Sequence, residues 1–585
     1  MPARFVCALL ALVALPFAVA PADAASPPLS RRWVYLQINL QVEENVGKAS
    51  DILRRAAAAG YNGVVLADYK LNILDRVPGH YFKNAEKIKA LAAELKLELI
   101  PTVAPIGYSD GLLAHNPNLA EGLPAKEVPF VMRSGFARLD SELVKALPGG
   151  EFEERKGDAA AGWSFQDGPG KASFVDTDVK HGGASSLRFE DLKTTAAPSG
   201  NGRVSRVLTV KPWRQYHASI WIKTEKFENA RDLKMFAMGK DGLPLSHMNL
   251  GVKPDQPWTE HHVIFNSLEN SEVRFYCGAW GGKGGKFWLD DAKVEETAFV
   301  NLLRRPSCPL VVKGEDGTEF KEGVDYAELR DPKLGSVPWA GQFDAYHEPP
   351  VLKFFPGAKL KDGQKIRVSF WHTVTVYDNQ VTCCLGDPEV FKVLEDQISR
   401  VERLLGPTTY FLSHDEIRVG NWCPACRKEG QTAGQLLAEN LRHCVEIVRK
   451  VNPKAKLCVW SDMFDPAHNA RKDFYLMSGD LAGSWEGLPK EMVVVNWNSD
   501  KPKESLPFFA KRGNGQVLAG YYDADPARIR GWLDAGAGLS GIDGAMYTTW
   551  TDNFKHLEAF AKSAWGEAPA KPDANAKKSP SEEKK

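Results

Sequence analysis

The runs WVYLQINL (33–40), VGKASDILRRAAAA (46–59), GVVLA (63–67), FKNAEKIKALAAELKL (82–97) and LIPTV (99–103) decide the fold. The first, third and fifth are short, apolar and rich in β-branched or aromatic residues. The second and fourth carry apolar residues at helical spacing, and the second stops at Gly60. Strand, helix, strand, helix, strand predicts parallel βα units. The rhythm stops near residue 150 and resumes after 370, with helices over 387–405, 435–451, 527–535 and 554–565 and another ending at Phe508. Strands are expected at 409–412, 456–460, 492–495, 516–520 and 544–548. Three strands before the interruption and five after it make eight, the count of a (β/α)8 TIM barrel interrupted after strand three.

Between the halves, SLRF (186–189), YHASIWI (216–222), HHVIF (261–265), VRFY (273–276) and KFWL (286–289) alternate apolar and polar residues and are separated by Gly, Pro and Asp. That pattern predicts an inserted β-sandwich over 149–298. More short strands, such as KIRVSF (365–370), predict a small β-extension over 299–370. The barrel halves are then 31–148 and 371–566.

At 585 residues the chain is too long for one core and suits roughly three or four folding units at about 150 residues each. Lys and Arg number 74 and so do Asp and Glu, which excludes a polybasic nucleic-acid binder. An apolar fraction of 43% excludes a chain kept disordered by its charge. Residues 1–24 read as an export signal: Arg4, an apolar run from Phe5 to Ala20, and small residues at Ala22 and Ala24. The expected location is therefore secreted or periplasmic. No later segment is long and apolar enough to span a bilayer. Residues 567–585, rich in Ala, Pro, Lys, Ser and Glu without periodicity, read as a disordered tail.

Beyond the signal stand eight cysteines, at 277, 308, 383, 384, 423, 426, 444 and 458. Cys423-Pro-Ala-Cys426 is a CxxC, and the vicinal pair Cys383-Cys384 could lie near it. Four thiolates would suit zinc, but a second well-spaced CxxC is missing. The expectation is a disulfide or buried thiols, with no metal and no cofactor.

Barrel enzymes place reacting groups at the C-terminal ends of their strands. Here those ends carry His414-Asp415-Glu416, Trp460-Ser461-Asp462, Asn496-Trp497-Asn498, Tyr521-Tyr522-Asp523 and Trp550-Thr551-Asp552. Carboxylates and large aromatics along one rim describe a sugar pocket, where ring faces stack on the sugar and an acid protonates the leaving oxygen. Neighbouring acids on a strand point to opposite faces, so Asp415 and Glu416 share a site only if the strand frays at the rim.

This set resembles the family 20 glycoside hydrolases, the β-N-acetylhexosaminidases. The Asp415-Glu416 pair, Trp460 with Asp462, Trp497, Tyr521-Tyr-Asp523 and Trp550-Thr-Asp552 follow that family's order over about 310 residues of barrel. The resemblance implies substrate-assisted retaining catalysis, in which the 2-acetamido oxygen attacks the anomeric carbon. It casts Glu416 as general acid and base, with a raised pKa from burial against the aromatic wall. Asp415 would hold the acetamide N–H, and Tyr522 or Tyr521 would donate to the acetamide oxygen. His414, Trp460, Asp462, Trp497, Trp550 and Asp552 would line the sugar site. The insertion is similar to jelly-roll carbohydrate-binding modules, on FWLDDAKV (287–294) and GGASSLRF (182–189).

Three departures accompany the resemblance. Gln37 and Asn39 stand where the family carries a strand-one Arg, Phe411-Leu-Ser-His414 replaces His-x-Gly-Gly, and Ala104-Pro-Ile-Gly107 replaces Pro-Gly-His. The expected partner is a glycan. Two other readings stay open: a retaining glycosidase with Asp523 as carboxylate nucleophile, and an inactive glycan-binding protein using Trp258 or Trp280.

Overall fold

The computed structural model describes residues 29–140, 147–195, 200–246, 248–377 and 379–566. The signal expected over 1–24 and the tail expected over 567–585 lie outside the described residues. Eight parallel strands close into a barrel: β1 (Arg31–Gln37), β2 (Gly63–Ala67), β3 (Glu98–Val103), β4 (Thr409–Leu412), β5 (Lys456–Trp460), β6 (Val493–Asn496), β7 (Gln516–Tyr521) and β8 (Ile542–Thr548). Closure is made by β1 on β8, where Val34 faces Tyr547.

Side-chain alternation sorts each strand into two cores. Trp33, Tyr35, Val65, Ile100, Phe411, Trp460, Val495, Val517 and Met546 fill the barrel interior. Val34, Leu36, Val64, Leu66, Tyr410, Leu412, Val459, Val494 and Leu518 face the surrounding helices. Burial on both faces explains why these strands read as continuous apolar runs.

The helices carry legible signals. The helix Ala433–Val451 opens with a capping box, in which the Thr432 hydroxyl accepts from the Gln435 N–H while the Gln435 side chain accepts from the Thr432 N–H. The helix Pro388–Leu405 has Asp387 as its N-cap, Pro at its first position and a left-handed Gly406 after its last. The barrel departs from strict βα alternation at one place. Between β5 and β6 the chain makes only the 3-10 turns Asp462–Phe464 and Ser484–Gly487 and a two-residue strand, Leu476–Met477.

Between β3 and β4 lie three larger sheets and a two-stranded ribbon, Arg155–Lys156 with Ala159–Ala160. Two are five-stranded and antiparallel and share one core, with Phe189, Ile220, Phe265 and Phe287 from one and Val204, Met235, Phe275 and Cys277 from the other. The third differs from the expected 299–370 extension. Its strands at 302–303, 311–314, 319–320, 352–353 and 365–372 form one sheet with Leu123–Arg133 and Phe136–Leu139, which the sequence reading left in the first barrel half; 365–372 pairs with the former and 352–353 with the latter. Val131 faces Lys365 and Leu123 faces His372, so the strand is completed by a partner more than 200 residues away. Pairing at that range leaves no local sequence signal.

The sandwich core extends onto the barrel rim through Val419 and Leu476, a packed pair from the loops after β4 and β5. Trp213 meets Trp422 edge to face there, at 6.4 Å. Among the described residues no helix is long and apolar enough to cross a membrane.

Candidate active site

Strand β4 ends at Leu412, and the next four residues break its alternation. His414 continues outward and is fully buried, with Nε2 3.1 Å from Asn440 Oδ1 on the surrounding helix. Burial holds its pKa down at about 4, against the Asn440 hydrogen bond, so it is a neutral packing residue and not the sugar contact expected of it. Asp415 turns back to the mouth. Glu416 adopts φ 48°, a left-handed conformation that brings the second acid to the same side as the first. The fraying that the pair required is therefore present.

The segment after β3 fixes this turn. Ser413 N–H donates to Val103 O and Ile106 N–H to Ser413 O, both at 3.0 Å. Gln380 Nε2 donates to the carbonyls of Gly107 and Glu416, at 2.9 Å each. Gly107 lies so close to Asp415 that a Cβ there would sit 2.0 Å from the Asp415 carbonyl oxygen.

Asp462 is fully buried, and its carboxylate is spent on positioning. Oδ2 accepts from Glu416 N–H (2.8 Å) and Asn469 Nδ2 (2.9 Å), and Oδ1 accepts from Trp497 Nε1 (3.1 Å). It holds the acid and an aromatic wall in place and does not reach the cleft, which corrects its expected role as a substrate ligand. Asp415, Asp462 and Glu416 form a carboxylate trio. Burial first, then the charges of Asp462 and Glu416, raise the Asp415 pKa well above the carboxylate range. Burial likewise raises Asp462, and the charge of Glu416 adds to it.

The Glu416 carboxylate has two partners that the sequence reading missed. Tyr108 OH donates to Oε2 at 2.5 Å, and Arg418 Nη2 lies 2.7 Å from Oε1. The Arg418 side chain is 3% exposed, while that of Glu416 is 26% exposed. Arg418 also donates to Gln380 Oε1 and, at 3.1 Å, to Tyr108 OH, with its guanidinium 4.5 Å from the ring centre of Tyr377. Burial works against the Arg418 charge, but Glu416 and Tyr108 outweigh it and raise its pKa. Arg418 was within reach of the sequence as the only cation near the acidic pair, two residues after Glu416. Tyr108 gave no signal, because the loop after β3 that carries it and the turn after β4 are joined only in space.

Tyr521, Tyr522 and Asp523 have φ of 76°, 47° and 58°. Three consecutive left-handed residues are costly and turn neighbouring side chains in unrelated directions. Tyr521 stacks on Tyr547 at 4.4 Å in the layer outside the barrel and is buried there, so it is not the sugar contact expected of it. Tyr522 faces the mouth, roughly parallel to Trp497 (6.3 Å) and tilted against Trp550 (6.0 Å). Burial, then the charges of Asp462, Asp415, Tyr35 and Glu416, push its phenol well above the ordinary value. Tyr35, reaching up from β1, is raised by burial and by Asp415 in the same way.

The two remaining rim tryptophans differ. Trp460, at 2% exposure, plugs the barrel beneath the site against Tyr35 (5.5 Å) and Phe411 (4.9 Å), which corrects its expected sugar contact. Trp550 is 50% exposed and leans on Tyr35 and Trp460. With Gln37, Asn39, Asp68, Tyr69 and the exposed Asp552 it lines a cleft of ≈ 540 Å³. Asp523 is consumed by its loop: it accepts from Thr549 Oγ1 (2.6 Å), Thr551 Oγ1 (2.8 Å) and Trp550 N–H (3.0 Å). Burial would raise its pKa, but these donors hold it below the usual carboxylate value.

Among the described residues all eight cysteines are buried free thiols, the second of the two alternatives expected for them. Cys384, Cys423, Cys426 and Glu121 converge in a buried cluster whose donor atoms could hold a metal.

No family model and no curated protein sequence matches the chain. Similar solved structures include a glycoside hydrolase family 20 β-N-acetylglucosaminidase (9% identity, TM-score 0.35, 92% of this chain and 70% of that one). A rhamnosidase from Novosphingobium sp. PP1Y has 12% identity and TM-score 0.31, covering 89% of this chain and 56% of that one. A family 16 carbohydrate-binding module covers 23% of this chain and 92% of its own, with 17% identity and TM-score 0.18. Likenesses this distant carry no argument about function, which has to come from the site itself.

Proposed function

We propose that this chain is an exported glycoside hydrolase that cleaves β-linked N-acetylhexosamine by substrate-assisted retaining catalysis, on a (β/α)8 barrel interrupted after its third strand. The observation that carries the reading is the convergence of Asp415, Glu416 and the Tyr522 phenol at one barrel mouth between Trp497 and Trp550. Glu416 protonates the glycosidic oxygen as its bond to the anomeric carbon breaks, and the acetamido oxygen closes on that carbon from the other face. Asp415 accepts the acetamide N–H and faces the positive charge of the oxazolinium ring. Tyr522 donates to the acetamide oxygen and orients it for attack. Glu416, now charged, takes a proton from water, which opens the ring with retention. Trp550, exposed at the rim, offers a face for sugar stacking.

A second reading has an observation behind it. Asp415 is the acid with the raised pKa, while Glu416 is ion-paired to Arg418, so Asp415 is the better-placed proton store. Leaving-group dependence separates the two. A variant lacking the general acid recovers rate on aryl glycosides whose leaving group needs no proton, and a variant lacking the acetamide holder does not. The retaining alternative through Asp523 is disfavoured because its oxygens are already engaged by three donors.

The test is hydrolysis of aryl β-N-acetylglucosaminide and N-acetylgalactosaminide against plain glucoside and galactoside, by wild type, Asp415→Asn, Glu416→Gln and Tyr522→Phe. Turnover confined to acetamido sugars, with about 10²-fold or greater loss in each variant, is the expected result. Equal cleavage of plain glycosides would end the substrate-assisted reading. Absence of turnover on aryl and polymeric substrates, with glycan binding retained, would favour the binding-protein reading.

A further inference from the structure

We infer that Cys384, Cys423, Cys426 and Glu121 form a structural zinc site that pins the loop after β4 to the insertion. The three sulfurs are mutual neighbours: Cys384 Sγ lies 3.4 Å from Cys423 Sγ and 3.3 Å from Cys426 Sγ. Glu121 is fully buried and oriented by the backbone. Its Oε1 accepts from the N–H groups of Trp422 (2.8 Å) and Cys423 (2.9 Å). That leaves Oε2 facing Cys426 Sγ (3.2 Å) and Cys423 Sγ (3.6 Å). All four donor atoms fall within 4.8 Å of one another. A tetrahedral site with Zn–S of about 2.3 Å sets its sulfurs about 3.8 Å apart, so a few tenths of an ångström of spreading would admit the ion.

The donor set argues against a disulfide. Cys384 is about equally close to both cysteines of the CxxC, so a bridge between any two of the three leaves the third sulfur outside it, and even the double pairing Cys384–Cys426 with Cys308–Cys423 gives Glu121 no role. A bridge would also take thiol donors away from the buried Glu121 Oε2, which is aimed at sulfur, and that is costly. On binding, each of the three thiols releases its proton, and three thiolates with one carboxylate leave the zinc complex with a net charge of −2. Arg305 offsets part of that charge. It is half-buried overall, its Nη2 lies 3.2 Å from Cys423 Sγ, and its Nη1 is anchored on the Asn118 and Ala120 carbonyls. Cys308 lies against Cys423 and outside the four-donor set. Four filled positions leave none for substrate, as a structural site requires.

The ligands come from chain leaving β3 (Glu121), chain returning to the helix at 388 (Cys384) and the loop after β4 (Cys423 and Cys426). That last loop begins beyond Arg418, the cation on Glu416. The zinc would therefore close long chain loops around the acidic turn.

The test uses the full chain, purified without chelator, with metal content measured by mass spectrometry. About one zinc per chain is expected, falling below about 0.1 in Cys384→Ser, Cys423→Ser, Cys426→Ser and Glu121→Gln but kept in Cys308→Ser. Should the variants fail to fold, the wild type still decides, because an organomercurial should release the zinc into a chromogenic chelator as the cluster thiols are titrated. Cobalt reconstitution should give thiolate-to-metal charge-transfer absorption. A metal-free chain with a disulfide joining any two of residues 384, 423 and 426 would overturn the proposal. So would zinc retained in Glu121→Gln but lost in Cys308→Ser.

Discussion

Gly107→Ala should remove most of the catalytic rate without touching a reacting group. The Cβ of alanine would sit 2.0 Å from the Asp415 carbonyl oxygen. Contacts of that type do not fall below about 3.0 Å, so one segment must retreat by roughly 1 Å. The two segments cannot part without straining their mutual ties, because Gln380 clamps both the Gly107 and Glu416 carbonyls and Ile106 is bonded to Ser413. The clash bears directly on the Asp415 carbonyl, so the turn that carries Asp415 and Glu416 shifts with it. A misplacement of about 1 Å costs on the order of 10²-fold in rate, and overpacking of this kind costs about 1–3 kcal/mol of stability. The assay is kcat/KM on the preferred aryl glycoside together with urea unfolding. Gly47→Ala is the control: it is exposed in the helix Glu43–Ala58 with nothing within 4 Å, and should gain about 0.5–1 kcal/mol with unchanged activity. Gly107→Ala retaining activity within about threefold of wild type would show that the 415–416 turn does not position the chemistry.

Three further outcomes follow from the same geometry. Trp550→Ala should raise KM about tenfold, the loss of one stacking face, and leave stability nearly unchanged because the ring is 50% exposed; unchanged KM would remove Trp550 from the sugar site. Asp523→Ala should loosen the Trp550 loop, raising KM and lowering the unfolding midpoint, whereas a kcat loss beyond about 10⁴-fold would restore it as the nucleophile. Burial holds His414 near a pKa of about 4, below the usual 6.5. The unfolded chain thus takes up a proton there first as pH falls, and stability is lost between pH 6.5 and 4, by about 3 kcal/mol once fully developed. The stability gap between wild type and His414→Gln should accordingly narrow on acidification; a constant gap would contradict a buried neutral imidazole.

Much of this protein could be read in order along the chain. The eight strands were visible because a barrel strand is buried on both faces and so must be apolar at consecutive positions, as in GVVLA at 63–67. The helix from 388 announced itself through Asp387, Pro388 and Gly406, since caps satisfy local backbone groups with local side chains. The rim residues could be named because strand ends are local, and Trp497, Tyr522 and Trp550 lie ring against ring.

What the sequence could not decide was direction and distant partnership. Tyr521 and Tyr522 are indistinguishable as letters, and only the left-handed run through Asp523 sends one into the outer layer and the other to the acids. Trp460, Asp462 and His414 have the same residue types as true sugar contacts, yet burial commits them to a plug, a positioning carboxylate and a neutral packing group. Strand Leu123–Arg133 finds its partner at 365–372, and Tyr108 finds Glu416, across separations that no local pattern encodes. The cysteines make the same point: one CxxC is a weak motif in the sequence, and the third sulfur and the carboxylate join it only when the insertion folds back. Local free energy shapes the elements along the chain, whereas a site assembled from several loops is fixed by packing between them, which only the tertiary structure decides.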